Sequence, residues 1–524
     1  MAALVAVVAL VAVIGLVMAS AGGSSQVAPA TGAAALVPAD ALLYVHLSTD
    51  PARPAVRRVL ALLARLPDHG SALAALPQRV VDVVGGRTGT NFTHDIRPWL
   101  GKEAAFALLN TTGGSAGSLT ILDVRSHAQA VSFLTRQRAQ RAGSIAGAAL
   151  YSYPSGAELA FVGRFLVVGA DADVRSAIEA DDGRLASLAA NPTYRKASAD
   201  APAGRVLDAY ASAGGVLRIL DSRSGFLGAL GSLLSPPSLL GVQLSVTPQA
   251  PGLAVHIHTI LDHATAASDT KRLAAFSPTL AGSLPAGSTL MIDARNLAAL
   301  APIVFGATGK IGLLSQVPDL LRRLGTALHA SGVNVQSFLG LFGGETAVAL
   351  ASGSGSPALV IVTRTSHEQA ARETLAGMEP ALAQLFSPAG SGGGQEPEMN
   401  DVSVGGVTAH QVLLGPGLQV DFAVFKGLIV VATTVRGIGD VAARVGSLDH
   451  AAGYGAVLGS HPDQVTSLGF ADFSQLLNLG EQTQLAQSAG YRSLVPELQQ
   501  VRAVGLYSTR GEDDTTAELF LQIP

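Results

Sequence analysis

Gly113-Gly114-Ser115-Ala116-Gly117 has the Gly-x-Ser-x-Gly spacing of a hydrolase nucleophile. That chemistry needs a strand-to-helix turn holding the serine exposed above a parallel sheet. His256-x-His258 sets two imidazoles on one face of a strand, because strand side chains alternate, and His263 follows; such a pair could ligate a metal. Glu103 and Glu345 each follow a glycine and open an apolar run. A catalytic role for either requires an acid or base partner within hydrogen-bond reach. Gly390-Ser391-Gly392-Gly393-Gly394 is rich enough in glycine to cradle a phosphate.

Each pattern also has a structural explanation. The Ser115 pattern lies between two strand-like runs, and the matching later loop is Ser352-Gly353-Ser354-Gly355-Ser356, so both read as hairpin loops. Val255, Ile257 and Leu261 make the opposite face of the His256 strand apolar, which places the histidines on an outer, solvated face without an Asp or Glu in register. Glu103 and Glu345 fit carboxylates that accept turn N–H groups at a strand start. No Lys-Ser or Lys-Thr follows the glycine-rich run, and Gln395-Glu396-Pro397-Glu398 would repel phosphate. These readings predict no catalytic residue, no cofactor and no metal.

The elements that position these residues occur twice. Val37-Pro38-Ala39-Asp40-Ala41-Leu42-Leu43-Tyr44-Val45 returns as Leu284-Pro285-Ala286-Gly287-Ser288-Thr289-Leu290-Met291-Ile292, and further landmarks return in the same order at offsets of roughly 240 to 264 residues. Trp99-Leu100-Gly101-Lys102-Glu103 matches Leu341-Phe342-Gly343-Gly344-Glu345, Ser126-His127 matches Ser366-His367, and Ser187-Leu188 precedes Tyr194 as Ser447-Leu448 precedes Tyr454. Residues 56–66, and the stretch with Val317, Leu320, Leu321 and Leu324, have helical spacing; residues 161–169 and 424–432 read as buried strands. Each unit closes with a hairpin, 241–246 with 253–261 and 505–509 with 516–523, so the chain is expected to end on a paired strand. The predicted fold class is α+β: two tandem repeated units, residues 36–265 and 266–524, each a largely antiparallel sheet packed with helices.

Ahead of them, residues 2–19 contain no charge and no proline. At about 1.5 Å per residue this run reaches roughly 27 Å, close to the hydrocarbon thickness of a bilayer at about 30 Å. Residues 1–21 are therefore expected to be a transmembrane anchor or signal segment, with residues 22–35 a flexible tether. A retained anchor leaves the bulk of the chain extracytoplasmic at the cell membrane; cleavage near Ala19-Ser20-Ala21 would make it secreted. Only 14% of residues are charged against 48% hydrophobic, and mean hydropathy is +0.38, but alanine inflates the apolar share. Cysteine is absent, which excludes disulfides, thiol catalysis and Cys-ligated metals. A net charge of −4 with no basic run excludes an electrostatic footprint for nucleic acid.

The units differ in one place. Residues 225–237, including Phe226, Leu227, Leu230, Leu233 and Leu234, carry no charge, whereas their counterpart at 480–488 is polar. This apolar element fits burial between the units, or contact with an apolar ligand or lipid.

The chain resembles the bacterial domain of unknown function 3352 family. The resemblance rests on Pro38-Ala39-Asp40 with Tyr44, Pro98-Trp99-Leu100-Gly101 with Glu103, Phe165-Leu166-Val167-Val168-Gly169, and Ser187-Leu188 with Tyr194. The second unit departs from it at Gly287 and Phe342, which stand where the first has Asp40 and Leu100. The resemblance implies an envelope protein with an N-terminal membrane segment and no established activity. The expected function is non-enzymatic: a membrane-anchored binding or scaffold protein for an apolar ligand, a lipid or an envelope partner, with Phe226, Leu227, Leu230, Leu233 and Leu234 as candidate contacts. The alternative is an envelope hydrolase.

Overall fold

The computed structural model describes residues 28–63, 81–82, 84, 90–110, 117–153, 156–220, 238–269, 274–296, 340–351, 358–377, 398–415, 418–443, 446–476 and 499–523. The first ten strands are β1 (Leu43–Ser48), β2 (Leu100–Leu109), β3 (Gly117–Val124), β4 (Gln140–Ile145), β5 (Ala148–Ser152), β6 (Glu158–Val162), β7 (Phe165–Gly169), β8 (Leu207–Ser212), β9 (Leu239–Gln249) and β10 (Gly252–Leu261). With them come α1 (Pro54–Leu63), α2 (His127–Arg136), α3 (Asp171–Asp181), α4 (Pro192–Ala199), α5 (Ala213–Leu220) and α6 (His263–Asp269). There follow β11 (Ser288–Arg295), β12 (Glu345–Ala351), β13 (Ala358–Arg364), β14 (Glu398–Val404), β15 (Val407–Gly415), β16 (Leu418–Phe425), β17 (Leu428–Ala432), β18 (Ser467–Asp472), β19 (Ala503–Arg510) and β20 (Asp514–Gln522), with α7 (Glu368–Ala376), α8 (Val435–Ala443) and α9 (Ala452–Leu458). The fold is α+β.

Every ladder among the described strands is antiparallel, and the ladders form one line. It runs β4-β5-β6-β7-β3-β2-β1-β8-β9-β10, crosses to β20, and continues β19-β18-β11-β12-β13-β17-β16-β15-β14. Read from the outer ends inward, the two halves have the same pairing order. Lone bridges Pro38–Ser187 and Pro285–Ser447 recur in the same way. Counting outward from β1 and β11, Tyr44 stands where Met291 does, His46 where Asp293 does, Asp208 where Leu468 does, and His256 where Glu518 does. At the seam His256 pairs with Glu518 itself, so a local two-fold axis passes through that pair.

The first half buries both faces of its sheet. On one face Tyr44, Ala160, Val162 and Val167 pack under α3 and α4. On the other, Val45, Leu207 and Val255 meet Ala55 and Val56 of α1, while Leu159, Phe161 and Leu166 meet Phe133 and Leu134 of α2 with Trp99 alongside. Burial on both faces is why these strands read as continuous apolar runs. In the second half Met291, Val360, Val430 and Phe470 pack under α8 and α9, and α7 crosses the opposite face at β16.

Local chemistry fixes the turns. Gly101 is required because a Cβ there would lie 2.2 Å from Asp123 Oδ2, which accepts the Lys102 N–H at 2.6 Å. Asn191 caps α4 by accepting the Tyr194 N–H at 3.1 Å, with Pro192 opening the helix. Ser126 stands immediately before α2, but its side chain makes no capping bond. The structured body begins earlier than the tether expectation allows: Gly32–Leu36 forms a 3-10 turn with Ala33, Ala34 and Leu36 buried.

Candidate functional site

The residues with the greatest chemical potential meet inside the first half. Glu103, at the start of the apolar run of β2, accepts the N–H groups of Gly32 at 3.1 Å and Ala33 at 3.2 Å, and ion-pairs with Arg164. It therefore caps the 3-10 turn about 70 residues upstream, and not the glycine turn beside it. On β1, His46 donates from Nδ1 to Asp208 of β8 at 3.2 Å and lies with Nε2 3.5 Å from Glu103. Arg205 closes the group with a 2.8 Å bond to Asp208. Burial alone would lower the His46 pKa, but the bonds and charges of Asp208 and Glu103 outweigh it and raise it to about 9. For Glu103 and Asp208, burial is likewise outweighed by His46 and the arginines, and both are held below the usual carboxylate range. An imidazolium flanked by two carboxylates, with no exposed surface, cannot serve as a general base toward a substrate.

The second half builds the same centre with different charges. Glu345 accepts the Thr279 N–H, the Leu280 N–H at 2.9 Å and the Thr279 hydroxyl at 2.6 Å, and pairs with Arg364 at 3.1 Å. In place of His46 stands Asp293, fully buried, with the Glu345 carboxylate and the Ala294 N–H beside it. In place of Asp208 stands Leu468. Burial, then the charge of Glu345, push the Asp293 carboxyl up to about 8, so that at neutral pH it holds a proton and can donate it to Glu345.

One ladder row links these residues to the seam. His46, Asp208, Ser245, His256, Glu518 and Tyr507 stand side by side on successive strands. His256 and His258 are buried, which corrects the expectation of a solvated face. Alternation along one strand separates its two faces but does not say that both are covered, and here α4 lies over the histidine face. His256 Nδ1 meets Glu518 at 2.7 Å; His258 Nδ1 donates to the Ala197 carbonyl at 3.0 Å, with Nε2 3.5 Å from Asp514. The acidic partners come from the other half: Glu518 stands opposite His256 in the ladder, and Asp514 lies two positions along β20 from Thr516, the residue opposite His258. Among the described residues no group of three or more acidic or histidine side chains is placed to hold a metal.

A cleft of about 390 Å³ opens between α7 and strands β15 and β16, lined by Arg372, Ala376, His410, Phe422, Val424 and Phe425 among others. His410 stacks on Phe422 with ring centres 5.0 Å apart and pairs with Asp401 at 2.7 Å. Nothing in the sequence singled out this cleft, because it depends on what α7 fails to fill.

Ser115, the 390–394 glycine run, residues 1–21, and Phe226, Leu227, Leu230, Leu233 and Leu234 lie outside the described residues. Leu109 of β2 pairs with Gly117 of β3, so the strands on either side of the Gly-x-Ser-x-Gly pattern are antiparallel partners. No helix among the described residues is long and apolar enough to cross a membrane.

No curated protein matches the chain. Two crystal forms of TP0453 are similar to part of it: form III at 10% identity over 46% of this chain and 87% of that one, TM-score 0.25, and form I at 9% over 48% and 89%, TM-score 0.26. Residues 1–523 match the family described as protein of unknown function, DUF3352, and the chain belongs to that family.

Proposed function

We propose that this chain is a non-enzymatic binding protein for an apolar ligand, built from two duplicated units, 36–265 and 266–524, and held at the membrane from its extracytoplasmic side by residues 1–21. One observation carries the binding reading. Where the first half has Val45, 5% exposed beneath α1, the second has Ile292, 51% exposed. Leu506, 37% exposed, stands two strands away in the same row, with Gly469 between them. Val348 and Leu350 of β12 and Leu359 of β13 extend the apolar face. Burying one such side chain contributes about 1.5–3 kcal/mol, so a ligand that covers the face gains substantially. The recurring carboxylates favour the same reading, since Glu103 and Glu345 are occupied in holding 3-10 turns to the sheet.

The test starts from carbonate-washed membranes. The full chain should remain in the pellet and, after extraction in mild detergent, should retain lipid detectable by native mass spectrometry. Ile292→Glu combined with Leu506→Glu should remove the lipid at an unchanged melting temperature. A carbonate-soluble product would overturn the anchor, and a lipid-free native chain would overturn the ligand.

A further inference from the structure

We infer that the cleft beneath α7 is a binding site for a fatty-acid-class amphiphile, whose carboxylate meets Arg372 and whose chain lies against Phe422 and Val424. The inference rests on the binding reading above and gives it a site and a ligand class. It starts from a comparison between the halves. Under α2 of the first half, Phe161 fills the equivalent space, packed edge-on to Tyr151 at 5.8 Å and against His127 at 4.4 Å. Ladder counting from β7 and β17 puts Val424 where Phe161 stands and His410 where Tyr151 stands. On the helix, aligning the buried pair Ala130 and Leu134 with Ala371 and Leu375 puts Glu368 in place of His127 and Arg372 in place of Val131. An aromatic layer under the helix of one half is thus an open cleft with a cationic rim in the other.

The chemistry of the lining selects the ligand. A volume of about 390 Å³ falls at the lower end of the range for small-ligand pockets, roughly 300–1,000 Å³. Phe422 and Val424 give the lining its apolar part and Thr408, His410 and Arg372 its polar part, which suits an amphiphile. Arg372 already donates from Nη2 to Glu368 at 2.6 Å and to the Val424 carbonyl at 3.0 Å. Those two bonds occupy both protons of Nη2 and hold the guanidinium at the cleft, which leaves an Nη1 N–H to meet one oxygen of an acceptor. Glu368 opposes a second anion, but it is itself held by Arg372 and by the Gly427 N–H at 2.6 Å. Thr408 adds a hydroxyl to the rim.

The full chain, stripped of lipid, would be titrated with dansyl-undecanoic acid and the probe displaced with palmitate and with hexadecanol. The native chain is expected to bind at one site and release the probe to palmitate. Val424→Phe restores the side chain that closes the first half's cleft and should weaken probe binding at least tenfold at an unchanged melting temperature. Arg372→Gln, on an exposed helix face, should weaken palmitate by roughly tenfold while leaving hexadecanol within about twofold. If both variants bind the probe as the native chain does, the cleft is not the site although the protein still binds apolar ligands. If the native chain binds no probe yet retains membrane lipid, the fatty-acid class is wrong; if it does neither, the binding reading falls with it.

Discussion

Asp293 offers a sharp test of how the second half is held together. Its carboxyl titrates at about 8 in the folded chain against 3.8 ordinarily, so between those values the folded state binds more protons than the unfolded one. Stability from this group is fully present below about pH 4, falls by about 1.4 kcal/mol for each pH unit above that, and levels off once pH passes about 8. His46, raised to about 9 from 6.5, works in the same direction: its contribution is complete below pH 6.5 and is lost as pH rises through 9. The native chain should therefore weaken steadily from pH 6 to pH 9 for two separable reasons. Asp293→Asn removes one of them. The amide cannot ionise, keeps the shape, and can donate to Glu345 as the protonated acid does. From pH 5 to pH 8 the variant should gain on the native chain by about 3 units' worth, on the order of 4 kcal/mol, with the residual slope above pH 6.5 belonging to His46. Urea midpoints measured at half-unit pH intervals, with tyrosine fluorescence and far-UV circular dichroism as paired probes, provide the measurement. Parallel pH curves for the two proteins would refute the reasoning, as would a variant less stable than the native chain at pH 8.

Two other substitutions address neighbouring claims. Glu103→Gln leaves His46 with one carboxylate and weakens the cap on Gly32–Leu36, so it should cost about 3–5 kcal/mol in urea unfolding at pH 7, and a loss under about 1 kcal/mol would remove Glu103 from its structural role. Gly252→Ala would place a Cβ 1.8 Å from the Leu521 carbonyl oxygen across the seam, which backbone on both strands must move to relieve. Amide exchange in β10 and β20 should accelerate by at least tenfold while β3 and β13 keep their protection; unchanged exchange at the seam would show that the strands yield without cost.

Much of the fold was legible because it rests on local pattern. The apolar character of β7 and β17, the glycine approach at Gly101 and the hairpins β9–β10 and β19–β20 each carry their signal within a few residues, although the runs 161–169 and 424–432 read as single strands are each divided by a turn, at Gly163 and at Gly427. The acceptor role of Glu103 was readable in kind, since a carboxylate after a glycine must find donors, but its donors lie in a 3-10 turn 70 and 71 residues away, where no local spacing points. The histidines were misplaced for a related reason. His256 and His258 alternate with Val255 and Ile257 in the way a half-solvated strand does, and only the covering of the second face by α4 makes both sets interior. Their partners Glu518 and Asp514 arrive on a strand about 260 residues later, and an error of one residue in the offset sets Leu519 against His256. The cleft under α7 was invisible because it is a difference in volume between two layers, Phe161 against Val424, that shows only once the registers are aligned.

The seam at His256 and Glu518 bears on how a newly made chain finds its own second half. With 262 residues between the two, synthesis at about 5–20 residues per second leaves β10 an open edge for roughly 13–50 s before its partner exists. During that interval the nearest strand of suitable shape is the β10 of another copy. The same two-fold register applied between copies would set His256 against His256, and between two β20 strands Glu518 against Glu518, a pair of like carboxylates. Of these three pairings, β10 against β20 alone brings an imidazole to a carboxylate at the axis. A strand edge that would otherwise accept its own likeness thus carries half of a password, and the other half is written about 260 residues later in the chain.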